Sequence, residues 1–157
     1  MNLTKINVDD IYGSEDTPLP DRMAQCTPDM ANAIKELQKE LSLRNSRLVL
    51  SDMFRTFDMQ YQAWTDYSSK KKKAYSPRPG GSMHEAGRAM DISINHLKPL
   101  TLEDFWNIAI PLGFSPIINT PSVNISECWH FDYRGSHQLV YDYYNSISKE
   151  KRNMKPY

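Results

Sequence analysis

The chain has 157 residues, with Lys plus Arg and Asp plus Glu at 19 each and a formal net charge of +0. That length supports one domain with its own core, and the charge balance supplies no overall field for nucleic acid or an anionic membrane. Cys26 and Cys128 are far apart and lack a CxxC partner, which fits a reduced protein and leaves one bridge between them open.

No stretch approaches the roughly 18 apolar residues of a membrane span, and no basic-then-apolar leader heads the chain. The expectation is a cytoplasmic protein, or one released by a non-classical or phage-type route.

In chain order, residues 1–26 are rich in Asp, Pro, Gly and Ser without sustained periodicity, and predict an arm laid over the domain. Thr27 and Pro28 make an N-cap and first-turn pair. The helix that follows sets Met30, Ala33, Ile34, Leu37 and Leu41 on one face. "RLVLSDMF" predicts a buried strand with Arg55 at its exit, and 56–69 a second helix carrying Met59, Ala63 and Tyr67 at four-residue steps.

"KKKKAYSPRPGGS" is a charged, Pro/Gly-rich loop whose expected role is to stay solvated. After "RAMDISI", Thr101 and Asp104 form a capping box opening a third helix that stops around "PLGF". "SPIINTPSVNIS" reads as short strand and loop, "WHFDYR" as a strand, and "SHQLVYDYYNSISKEKR" as a closing helix with a basic end. Helices mixed with short strands, without regular crossovers, predict an α+β class with a small, mainly antiparallel sheet flanked by helices.

Strand parity singles out a site. In "RAMDISI" the core face takes Met90, Ile92 and Ile94, so Asp91 projects from the other face with Ala89 and Ser93. In "WHFDYR" the apolar set is Trp129, Phe131 and Tyr133, so His130 points the opposite way with Asp132 and Arg134. If the two strands share a sheet, Asp91 and His130 converge.

His84 is an odd seven residues before Asp91 and would face away in an unbroken strand. Gly87 supplies the bend that lets both aim at one point. Two imidazoles and a carboxylate suit catalytic zinc, because three protein ligands leave the fourth position for water or substrate.

Glu127, three residues before His130, sits where a turn brings a carboxylate beside such a metal, as general base and acid. Arg55 offers a planar fork for a substrate carboxylate. Glu85 reads as a solvated turn residue, Asp132 as either a partner orienting a ligating histidine or a plain surface acid, and His96 and His137 as structural.

"SMHEAGRAMD" fits SxHxxGxAxD and "ECWH" fits ExWH, so the chain resembles the zinc D-alanyl-D-alanine carboxypeptidases and dipeptidases of the VanY and VanX type. "FRTFDMQ" resembles that family's arginine motif, with Met53 standing where glycine is usual. The resemblance covers residues 28–145 and implies the small zinc domain shared with the hedgehog signalling domain. It implies one Zn2+ per chain on His84, Asp91 and His130, Glu127 as base, Arg55 for the substrate's carboxylate end, and Ser82 and Gln60 as further pocket residues.

These readings predict a single zinc peptidase domain over 1–157, comprising an arm (1–26), a core (28–145) and a basic tail (149–157). The expected activity is hydrolysis of a peptide bond next to a D-amino acid in peptidoglycan stem peptides or their precursors, by a monomer. An L-Ala-D-Glu endopeptidase is the nearest rival. A metal-stabilised binding module without catalysis is the rival from another class, and the presence of Glu127 argues against it.

Overall fold

The computed structural model describes residues 2–7 and 19–135. The expected closing helix with its tyrosines, His137 and the basic tail 149–157 lie outside the described residues.

Two short strands, β1 (Thr4–Lys5) and β2 (Gln25–Cys26), pair antiparallel and tie the N-terminal arm together. Helix α1 (Pro28–Ser42) follows, with Met30, Ala33, Ile34, Leu37 and Leu41 buried as its period requires, and Ala31 buried beside them. Thr27 is the N-cap, but its hydroxyl caps no helix N–H. It accepts instead from Arg88 Nη1 at 3.0 Å.

The main sheet has four antiparallel strands in the order β3 (Leu50–Asp52), β4 (Ala89–Ile92), β6 (His130–Tyr133) and β5 (Phe114–Pro116). With α1, α2 (Phe57–Ser68) and α3 (Leu102–Ala109), this makes the α+β architecture expected. Thr101 and Asp104 close a reciprocal capping box on α3, at 3.1 Å and 2.9 Å. Phe105 and Phe131 meet edge to face, 5.1 Å between centroids, and lock α3 onto the sheet.

Two expectations change. The β3 strand covers only three residues of the eight in "RLVLSDMF". On α2 the stripe Met59, Ala63, Tyr67 does not face the core: Tyr67 is exposed against Tyr75, and the buried residue is Gln60. A polar side chain there has lost its water but gained three hydrogen bonds, to Arg55, Ser76 and Pro77, which make its burial tolerable. All four residues of β4 are buried, Asp91 among them. Cys26 and Cys128 are both buried and free, so no bridge joins them.

Candidate metal centre

Asp91 and His130 are directly paired residues of β4 and β6, and parity turns both from the apolar face on which Met90 and Phe131 are fully buried. Asp91 Oδ1 lies 3.0 Å from His130 Nδ1. His84 arrives from the turn preceding β4, its Nε2 3.3 Å from Asp91 Oδ1 and 3.2 Å from His130 Nδ1. Among the described residues, these three form the one group whose ligand atoms all lie within 4.8 Å of one another.

The bend that delivers His84 is at Gly87, whose φ is 68° and whose N–H donates back to the His84 carbonyl at 3.2 Å. A Cβ at Gly87 would also stand 2.4 Å from Leu3 Cδ2, so the arm packs against this turn. Two demands, a left-handed backbone and a close neighbour, therefore fall on one glycine.

Each imidazole is oriented from behind. His84 Nδ1 contacts the Met53 carbonyl at 2.5 Å, and a carbonyl only accepts, so the proton is on Nδ1 and the Nε2 lone pair faces the other ligands. His130 Nε2 contacts Asp132 Oδ1 at 2.7 Å, which leaves Nδ1 facing them in the same way. Asp132 is thus a partner of a candidate ligand and not a plain surface acid. Met53 works through its carbonyl while its side chain is buried in the core, so a side chain is tolerated where the motif usually has glycine.

The donor set fits zinc. Nitrogen and oxygen ligands on roughly 2.0–2.1 Å bonds in a tetrahedron sit about 3.3–3.4 Å apart, close to the separations found here. Burial lifts the Asp91 carboxyl, but hydrogen bonds to His130 and His84 outweigh it and hold the group far below the usual carboxylate range. Burial lowers His130, yet its bonds to Asp132 and Asp91 prevail and raise it to about 9.

A pocket of about 240 Å³ opens over the trio, lined among others by Arg55, Lys72, Ser82, Glu127 and Trp129. Glu127 is half-buried in the turn before β6 with φ 68°, and its carbonyl accepts from His130 N–H at 3.0 Å. Burial, then the Asp91 charge, pushes its carboxyl up, with His130, Lys72 and Arg55 opposing. Trp129 packs on the core and lines the pocket as well, a double role that parity alone did not suggest.

Arg55 lines the pocket but is already engaged. Its Nε and Nη2 donate to Asp52 Oδ2, and Nη1 donates to Gln60 Oε1 at 3.1 Å. Gln60 does not line the pocket: it is fully buried behind Arg55, with Nε2 donating to Ser76 Oγ at 3.1 Å and to the Pro77 carbonyl at 2.8 Å. Gln60 therefore stands behind Arg55 and not on the pocket wall where the resemblance put it. Ser82 lines the pocket, and its hydroxyl accepts from His84 N–H at 3.2 Å. Glu85 faces elsewhere and accepts from Gly80 N–H at 2.9 Å and 3.1 Å. His96 bonds Ser93 Oγ at 2.7 Å, apart from the trio.

The profile of the family described as VanY, D-alanyl-D-alanine carboxypeptidase, matches residues 23–110. The chain belongs to this VanY family of peptidases. None of the curated proteins matches it.

Among solved structures, the LdcB LD-carboxypeptidase superposes with a TM-score of 0.64 at 21% identity, covering 98% of this chain and 78% of that one. VanYB in complex with D-alanine-D-alanine gives 0.60 at 15% identity, covering 92% and 97%. The D,D-pentapeptidase VanY from a VanB-type resistance cassette, in complex with Zn(II), gives 0.55 at 18% identity, covering 85% and 91%. At these identities the likeness establishes a shared fold. No helix among the described residues is long and apolar enough to cross a membrane.

Proposed function

We propose that this VanY-family member is a zinc-dependent carboxypeptidase that releases a C-terminal D-amino acid from peptidoglycan stem peptides or their precursors. One observation carries the reading: the trio of His84, Asp91 and His130 shares a single pocket with Glu127 and Arg55. Zinc held there, one ion per chain, would polarise the scissile carbonyl and acidify a water molecule.

The chain's own residues supply the rest. Asp132 and the Met53 carbonyl keep the two imidazoles in the tautomers that present lone pairs to the ion. Glu127, with its carboxyl raised by burial, takes a proton from the attacking water and returns it to the leaving amine. Arg55 has five N–H donors, of which Asp52 and Gln60 engage three, leaving two for the substrate's terminal carboxylate. The Asp52 clamp fixes the guanidinium plane before substrate arrives, so little side-chain entropy is lost on binding.

The relatives' activities favour this chemistry without choosing the bond, since one is an LD-carboxypeptidase and another a D,D-pentapeptidase. Mass spectrometry of defined tetra- and pentapeptide stems after incubation with zinc-loaded protein reads the choice directly. Release of one terminal D-alanine is expected. Cleavage between L-Ala and D-Glu would replace this reading with an endopeptidase, and intact peptides throughout would leave a binding module.

A further inference from the structure

The lysine run at the end of α2 enters the site through one member. Lys70, Lys71 and Lys73 are exposed, whereas Lys72 is half-buried and lines the pocket over the metal trio. The loop that carries it is fastened to α2 at several points. The Lys71 and Lys72 N–H groups both donate to the Asp66 carbonyl, at 2.8 Å and 3.2 Å. Tyr75 stacks edge-on against Tyr67, 5.5 Å between centroids, Gln60 holds Ser76 and Pro77, and the Arg78 guanidinium lies 5.5 Å over the Trp64 ring.

Charge accounting around the pocket then separates the two cations. Arg55 is neutralised at close range by Asp52, and its Nη2 lies 3.8 Å from Asp91 Oδ2. Lys72 forms no salt bridge with a described residue, and it lines the same pocket as Glu127 and the metal trio. Three carboxylates, Asp91, Glu127 and Asp132, line the pocket and place like charge near an incoming carboxylate. An ammonium on the wall with no salt bridge among the described residues answers that repulsion, and like-charge contacts at a binding site cost enough to set specificity.

We propose that Lys72 is a specificity-determining residue that contacts the carboxylate of the substrate's departing residue opposite Arg55. Arg55 supplies the fixed geometry and Lys72 the uncompensated charge. The assignment rests on the carboxypeptidase reading for its substrate, but its test does not depend on turnover.

Zinc-loaded protein is titrated with D-alanine and with D-alaninamide, followed by NMR. Lys72→Ala should weaken D-alanine about tenfold and leave D-alaninamide unchanged. Lys72→Arg should restore most of the difference, and Lys72→Glu should weaken D-alanine further. Equal losses on both ligands, or no loss on D-alanine, would overturn the assignment. Turnover of stem peptides is read separately: Lys72→Ala should raise KM for carboxylate-ended peptides with kcat nearly unchanged, whereas a fall in kcat alone would mean that Lys72 acts only through Glu127. A wild-type protein that binds D-alanine through Lys72 yet cleaves no stem peptide would refute the peptidase reading and uphold Lys72 as a carboxylate contact.

Discussion

Asp132 and His130 stand two residues apart on one face of β6, and the Asp132 carboxylate lies 2.7 Å from the ring nitrogen that points away from Asp91. That contact selects the tautomer that turns Nδ1 towards His84 and Asp91. Replacing Asp132 with Ala should leave the fold intact and weaken zinc binding about 10–100-fold, as loss of such outer partners does elsewhere. Chelator competition measures it. Unchanged affinity would mean that backbone packing alone orients the ring.

Glu127 is the residue whose loss should separate binding from chemistry. Its half-buried carboxylate lines the pocket but does not belong to the ligand trio. Glu127→Ala should retain full zinc content by elemental analysis while kcat falls about 10²–10⁴-fold. Loss of the metal in this variant would place Glu127 among the ligands.

The site was legible where strand parity and a glycine constrain it. Asp91 and His130 fall on matching faces because side chains alternate, and Gly87 announces the turn that resolves the odd spacing to His84. Three features were not legible. The Met53 carbonyl that orients His84 is a backbone group and leaves no mark in residue identity. Gln60 is buried through bonds to a loop 16 and 17 residues away, which no helical period reports. Lys72 differs from its three lysine neighbours only in the direction the loop gives it.

Gly87 carries a prediction with an internal control. Gly87→Ala places a Cβ 2.4 Å from Leu3 Cδ2 and forces a left-handed backbone on alanine, and should cost about 1–3 kcal/mol. The double change Leu3→Ala with Gly87→Ala removes the clash but keeps the backbone strain, so it should recover only part of the loss relative to Leu3→Ala alone. Urea unfolding of the four proteins reads both effects. Full recovery would show that contact with the arm, and not the φ of 68°, is what requires glycine.

The pH dependence of stability should register Asp29, in the first turn of α1. Burial raises its carboxyl, but hydrogen bonds from Thr27 and Arg88 outweigh this and lower it below its usual 3.8. Both Asp29 oxygens accept from Arg88 Nη1, at 2.9 Å and 3.0 Å, and Arg88 Nε also donates to the Tyr133 carbonyl at 3.1 Å. The pair therefore ties the start of α1 to the end of β6. Because the folded state binds the proton less tightly than the unfolded chain, this stabilisation is complete above the unfolded value and disappears as pH falls through the folded one.

Asp29 is largely solvent-exposed, so the pair and the helix dipole together should contribute only about 0.5–1 kcal/mol at neutral pH. Denaturant titrations of wild type and Asp29→Asn should differ by that amount at pH 7 and converge below the depressed carboxyl value. A gap that persists undiminished in acid would mean that Asp29 acts by shape and hydrogen bonding, with its charge contributing nothing.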